Sequence, residues 1–189
     1  ENAFLVKEEN VPLEGFDNIM LYTENIHAAY AMYGNKHKKL GYQIGIRGEY
    51  SDIETRLVKT NDANPRDYFN LFPSAHFSRE LPNENSLQLS YSRRLNRPHF
   101  WNLLPFFNYS DPRSFFSGNP NLDPEYTNSF ELGHLKYWNK ASLLSSVYYR
   151  KRTGVIERIT VVDAEGYTRM FPINLSNQDA FGVEFNASK

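Results

Sequence analysis

The stretch Leu40-Gly41-Tyr42-Gln43-Ile44-Gly45-Ile46-Arg47-Gly48-Glu49-Tyr50 decides the fold class. Leu40, Tyr42, Ile44, Ile46 and Tyr50 fall in one phase of a two-residue period. Gly41, Gln43, Gly45, Arg47 and Glu49 fall in the other. Side chains of a strand point alternately to opposite faces, so this segment is a strand with one apolar and one polar or small face.

The same period recurs on both sides of it. Upstream, Ile26, Ala28, Tyr30 and Met32 share a phase against His27, Ala29, Ala31 and Tyr33, with Asn35 to Lys39 as a turn. Downstream, Phe69, Leu71, Ala75 and Phe77 alternate with Asn70, Phe72, Ser74, His76 and Ser78. A turn at Pro82-Asn83-Glu84-Asn85 leads to Leu87, Leu89 and Tyr91 against Gln88, Ser90 and Ser92. Phe130 to Trp138 and Leu143 to Tyr149 flank Asn139-Lys140, and Phe181, Val183, Phe185 and Ala187 close the series. No sustained helical register with caps competes. The chain is expected to be all-β: about seven strands in an antiparallel up-and-down meander.

The connections alternate in length. Those near 35–39, 82–85 and 139–140 are short, and those near 52–66, 98–127 and 160–168 are long. Short turns at one end and long loops at the other characterise outer-membrane barrels. The two strands of the first hairpin, which runs from about Ile19 to Glu54, are each longer than the roughly 9–11 residues with which a strand crosses a bilayer. A soluble sandwich turns every 8–12 residues or so.

Composition agrees. The 189 residues are 15% aromatic, with 13 Tyr and 14 Phe, yet the chain is polar on average. No segment approaches the roughly 20 apolar residues of a membrane helix. With 21 Lys+Arg against 22 Asp+Glu, the chain lacks the basic surface that nucleic acid requires. It has no cysteine, hence no disulfide or thiolate metal site. His27, His37, His76, His99 and His134 are scattered, and no zinc, nucleophile-elbow or phosphate-loop motif occurs. No metal, cofactor or enzymatic activity is expected.

The most specific signal lies between Asn96 and Gly133. It reads Asn96-Arg97-Pro98, Asn102-Leu103-Leu104-Pro105-Phe106, Gly118-Asn119-Pro120-Asn121-Leu122-Asp123-Pro124-Glu125 and Glu131-Leu132-Gly133. This resembles the barrel segment of TonB-dependent receptors, in the form of the outer membrane β-barrel family of Bacteroidetes-type bacteria. Tyr22 to Tyr30 before Gly45-Ile46-Arg47-Gly48-Glu49, Tyr148-Tyr149-Arg150 before Gly154-Val155-Ile156-Glu157, and Asn174 through Gly182-Val183-Glu184 fit the same pattern in order.

The resemblance implies that residues 1–189 are part of a 22-stranded transmembrane barrel in a bacterial outer membrane, without the plug domain and the C-terminal strand. Such a wall section would have two open edges. It implies a transporter that imports a scarce siderophore, vitamin, glycan or peptide. Its partners would be the TonB complex through the plug, outer-membrane lipid and the extracellular ligand, with a surface lipoprotein added in a glycan-import system. A passive or structural barrel (porin or adhesin) and a soluble β-sandwich binding module are the alternatives.

Site candidates follow. Arg47, Glu49, Glu131 and Glu184 lie in polar phases and would face the lumen. An Arg or Lys in hydrocarbon costs roughly 2–4 kcal/mol at mid-depth. Trp101, Phe106, Phe107, Tyr109, Phe115 and Phe116, with Phe100, lie in the longest outer loop. They either pack it on itself or offer a stacking platform. Gly118, Asn119, Pro120 and Pro124 supply turn chemistry that shapes that loop. Trp138, Tyr137, Tyr42 and Tyr91 are candidates for interfacial belts.

Overall fold

A computed structural model describes residues 19–111 and 113–189, and of 107–111 the backbone alone. Seven long strands form the meander: β1 (Met20–His37), β2 (Leu40–Leu57), β3 (Ala63–Leu81), β4 (Asn85–Asn96), β7 (Glu125–Trp138), β8 (Ala141–Val162) and β9 (Thr168–Ser188). All their neighbouring pairs are antiparallel. Between β4 and β7 the chain forms a helical turn, α1 (Phe100–Leu103), and a hairpin, β5 (Phe107–Asp111) and β6 (Ser114–Ser117). β6 joins the outer edge of β9 in parallel, opposing Ser114 to Thr168 and Phe116 to Met170. The sheet order is therefore β1-β2-β3-β4-β7-β8-β9-β6-β5.

Two expected long connections shrink. β2 and β3 run on to Leu57 and from Ala63, so 58–62 alone connects them. β8 and β9 leave only 163–167. The polar residues there continue the ladder instead of leaving it. The third, 97–124, stays long, but α1, β5 and β6 give it structure. His99 caps α1, accepting a hydrogen bond at Nδ1 from the Trp101 amide at 3.4 Å. The opposite turns are tight: Lys38-Lys39, residues 82–84, and Asn139-Lys140. Lys38, Asn83 and Glu84 take left-handed φ values of 53°, 60° and 58° there.

Register fixes the faces. Tyr42, Phe77, Leu89, Leu132, Val147 and Val183 share one face with Ile44, Ile46, Tyr91, Phe130 and Phe181. Arg47, Glu49, Asn70, Ser90, Glu131, Ser146 and Glu184 share the other. In β1 the phases differ from the simplest expectation. Ile26, Ala28, Tyr30 and Met32 oppose Ser51, Glu49, Arg47 and Gly45, so this apolar-looking series lies on the polar face.

The burial is inverted relative to a soluble domain. Val147, Val183, Phe185, Leu132 and Ile46 are about half or more exposed, whereas Glu49, Ser51, Thr55 and Ser146 are buried. Water would penalise such an apolar face, and hydrocarbon would not.

The apolar face also has a sharp limit. Along six strands it ends on an aromatic residue followed two positions outward by a polar one. The pairs are Tyr50/Asp52, Phe69/Asp67, Tyr91/Arg93, Phe130/Asn128, Tyr149/Lys151 and Phe181/Asp179. Tyr91 and Phe130 lie 4.8 Å apart, and Phe130 and Tyr149 stack at 6.3 Å. The Tyr91 and Tyr149 hydroxyls donate to Asn128 (2.9 Å) and Asp179 (2.5 Å), so the rings stay in the apolar band while their tips reach the polar row. That is how aromatic girdles sit at a membrane boundary. Of the sequence candidates, Tyr91 belongs to this row. Tyr42 lies near the short-turn end, 6.0 Å from Tyr33, where Trp138 also ends β7. Tyr137 lies on the polar face, opposite Ser142. From Leu40 to Tyr50 the band spans about 33 Å of strand at ~3.3 Å per residue. A barrel tilt of about 40° reduces that to a height near 25 Å, the usual apolar band.

A prediction follows for the intact barrel in lipid vesicles. Val147→Arg, at the centre of the apolar face, should cost about 2–4 kcal/mol. Gln88→Arg, on the polar face, should cost under about 1 kcal/mol. Denaturant unfolding midpoints of the two variants measure the difference.

Candidate functional site

The site forms where the sheet splits. β3 and β4 pair only from Ser74 to Leu81, opposite Ser92 to Asn85. The ladder stops at Pro73, which has no amide hydrogen to donate. Beyond it β3 pairs with β2 alone and β4 with β7 alone. A cleft of about 490 Å³ opens there, lined by Arg47, Glu49, Phe72, Ser92, Arg94 and Arg97 among others.

Arg97, one residue past β4, reaches across this gap over the polar face. Its guanidinium lies 2.8 Å from the Glu24 carboxylate and contacts that of Glu49. It also donates to Ser51 Oγ at 3.0 Å. Glu49, 4% exposed at its side chain, accepts from Arg47 as well. One buried carboxylate thus serves two arginines, and one arginine two carboxylates. Burial works against Arg97's charge, but the hydrogen bond to Glu49 together with the neighbouring Tyr68 and the Glu49 charge outweighs it and raises the pKa above its ordinary value. Beside the cluster, the Tyr68 hydroxyl and Asn70 Nδ2 are buried without a hydrogen-bond partner among the described residues.

On either side of the β5–β6 hairpin, the connection from 97 to 124 lies on the polar face and is bonded there. Gly118 N donates to Leu104 O and Asn119 N to Asn102 O, both at 2.7 Å. Asn119 Nδ2 donates to Pro172 O of β9 at 3.1 Å, and its Oδ1 accepts from Asn121 N at 3.0 Å. From β3, Asn64 donates to Pro120 O (3.2 Å) and Asn121 Oδ1 (3.0 Å). Arg66 donates to Leu122 O at 2.6 Å and pairs with Asp123. Asn174 of β9 accepts from Asp123 N (2.8 Å) and donates to Asp123 O (2.9 Å) and Gly154 O (2.8 Å). Glu125 accepts from Asn96 Nδ2 at 3.1 Å and from the Ile156 amide at 2.8 Å, beside the bulge that Gly154 makes at φ +67°. Leu103 and Leu122, the buried hydrophobic residues among those described, lie in this connection.

These contacts refine the reading of the loop-shaping residues. Gly118 does not need an unusual φ. It needs to lack a side chain, because a Cβ there would sit 2.4 Å from Leu104 O and 2.7 Å from Asn102 O. Asn119 works through its amide, and Pro120 and Pro124 each present a carbonyl to a neighbour: Pro120's accepts from Asn64, and Pro124's lies against Gly154. Among the aromatic candidates, Trp101 is 65% exposed and meets Phe100 edge-on at 5.9 Å. Phe100 in turn lies 6.1 Å from Tyr22 of β1. Phe116 lies under the Arg158 guanidinium at 5.1 Å. Phe106 is half-buried, and Phe115 faces Arg169 in the β6–β9 ladder. The side chains of Phe107 and Tyr109 lie outside the described residues.

Arg47 and Glu49 are brought into the cluster, whereas Glu131 and Glu184 lie on later strands of the same face. Sequence reasoning missed Glu24, Asn64, Arg66 and Asn174. Their partners across the connection lie roughly 50 or more residues away; Glu24 and Asn174 fall within family-like stretches, but nothing local marks them as ligands of the 97–124 connection.

The chain matches the model of the outer membrane protein beta-barrel family over residues 2–189. No curated protein sequence matches it significantly. Solved structures of the same fold include the Serratia marcescens hemophore receptor HasR in complex with its hemophore HasA and heme. It is 14% identical at a TM-score of 0.70, over 87% of this chain and 31% of that one. The copper transporter OprC is 13% identical at 0.68, over 88% and 26%. The FrpB iron transporter from Neisseria meningitidis is 14% identical at 0.61, over 88% and 23%. The chain thus spans about a quarter to a third of the structures it resembles, and at these identities the likeness is one of fold.

Arg97→Met should destabilise the intact barrel by about 3 kcal/mol, because it leaves Glu24 and the buried Glu49 without their shared cation. Adding Glu49→Gln should recover part of that loss, and a double-mutant cycle on unfolding midpoints measures the coupling. Gly118→Ala should free the connection at little cost to the sheet. Limited proteolysis is expected to cut between 100 and 117 faster while strands stay protected.

Proposed function

The chain belongs to the outer membrane protein beta-barrel family, and from that premise we propose that it forms part of the wall and one outer connection of a TonB-dependent receptor. This receptor binds a scarce extracellular ligand and imports it into the periplasm. The protein resides in the bacterial outer membrane, with outer-membrane lipid against the Tyr42–Tyr50 face. The polar face, with Arg47, Glu49, Glu131 and Glu184, lines the lumen. The tight turns at 38–39, 82–84 and 139–140 are periplasmic, and 97–124 is extracellular in origin.

One observation carries the reading: the connection 97–124 is strapped to the inner face by charged and amide groups from β1, β2, β3 and β9. A segment held inside the wall narrows the path and presents residues to an entering molecule. That suits selective uptake better than free diffusion. The solved structures of similar fold, described as a hemophore receptor and as copper and iron transporters, support the receptor class. In this reading the ligand is a siderophore, vitamin, glycan or peptide. The TonB complex supplies energy through a plug domain, and a surface lipoprotein joins if the cargo is a glycan.

Deleting the gene and measuring uptake of labelled members of each ligand class, with and without a protonophore, tests the proposal. One class should be lost on deletion and should depend on the proton gradient. Uptake that survives the protonophore and scales only with solute size makes the protein a passive barrel.

A further inference from the structure

The lumen face holds a second group of arginines that the strap does not use. Thr127 of β7 lies opposite Arg94 on β4 and opposite Arg152 on β8. One position along, Ser129 lies opposite Ser92 and Arg150. All three arginines point to the polar face, and the hydroxyls of Ser92, Thr127 and Ser129 lie between them. Together with Ser90 and Glu131 they border an open cleft of about 450 Å³. Strand spacing separates Arg94 from Arg152 by about 10 Å.

Their charges are left over, and the contrast with Arg47 and Arg97 is informative. Those two are neutralised by Glu24 and Glu49 within the same sheet. Arg94, Arg150 and Arg152 have no carboxylate partner among the described residues, and Glu131, the one acid lining the cleft, forms no ion pair there. Arg150 lies over the Tyr148 ring at 4.4 Å, which orients the guanidinium while leaving its donors free. Three cations concentrated on one patch stand out in a chain whose net charge is −1. Guanidinium forks match carboxylate and phosphate geometry, and hydroxyls between them donate to the same oxygens.

We infer that Arg94, Arg150 and Arg152, with Ser92, Thr127 and Ser129, form an anion-binding station on the barrel wall for a small solute bearing more than one carboxylate or phosphate. The inference rests on the transport reading above and narrows its ligand to an anionic class. The spacing of the arginines selects several anionic groups spread over about 10 Å rather than a lone ion.

The test uses the intact protein purified in detergent, with tripolyphosphate as probe and calorimetry as readout. The wild type should bind, with affinity falling as salt rises. Arg94→Gln, Arg150→Gln and Arg152→Gln should each weaken binding about tenfold, the loss of one charge-assisted contact. Arg79→Gln, near the short-turn end, should bind like the wild type. Heat-modifiable mobility on gels reports assembly. If the triple glutamine variant does not assemble, the triple lysine variant replaces it and should bind more weakly than wild type, because the forks are gone. No binding by the wild type, or triple-variant binding equal to it, overturns the inference. Anion binding by a protein that imports nothing overturns the transport reading and leaves the station standing. Energised import of a neutral or cationic ligand without anion binding does the reverse.

Discussion

Two-residue periodicity, held in place by the hydrogen-bonded ladders between neighbouring strands, is the constraint from which the remaining features follow. A strand within a ladder cannot rotate, so a slip of one residue would exchange its whole set of side chains between faces. Here the ladder carries one face of Tyr, Phe, Leu, Ile and Val and one of Arg, Glu, Ser, Asn and Gln across the six strands β2, β3, β4, β7, β8 and β9. In hydrocarbon the same ladder satisfies the backbone amides and carbonyls without water, which is why barrels can span a membrane. The aromatic row from Tyr50 to Phe181 marks where that solvent ends.

The ladder is interrupted where the ion cluster and the 97–124 connection sit. Pro73 ends the β3–β4 pairing, and Gly154 inserts a bulge in β8. Each break exposes backbone and room that a regular sheet lacks. Arg97 and the 97–124 connection fill the first. Asn174 and Glu125 bind the carbonyl and amide groups beside the second. A buried ion cluster of this kind contributes little net stability compared with an apolar replacement, but losing one member is costly because it strands the others. Its effect is positional: it holds one arrangement of the connection on the inner face.

Much of this was legible in the sequence. The seven strands and the faces of β2, β3, β4, β7, β8 and β9 follow from alternation, and their antiparallel order follows from the tight turns between them. The face of β1 did not, because both of its phases carry apolar residues: Ile26, Ala28 and Met32 on one face, and Ala29, Ala31 and Tyr33 on the other. Strand lengths were underestimated at 52–66 and 160–168, since strands projecting past the apolar band need no hydrophobic alternation. At Gly118 local sequence suggests an unusual φ, whereas the structure shows close approach to Leu104 O, a contact that leaves no trace in local sequence. The pairing of Arg97 with Glu24 and Glu49 joins residues about 73 and 48 positions apart, and no local pattern encodes such a choice.

The central claim is that the two faces of this sheet meet two different solvents. The chain contains no native cysteine, so single cysteines at successive positions from Phe130 to Trp138 and from Leu143 to Tyr149 can each carry a spin label in the intact, vesicle-reconstituted protein. Collision rates with oxygen and with a water-soluble relaxant should then alternate residue by residue, with Leu132 and Val147 accessible to oxygen and Glu131 and Ser146 not. Uniform access to the water-soluble relaxant on both faces would contradict the account.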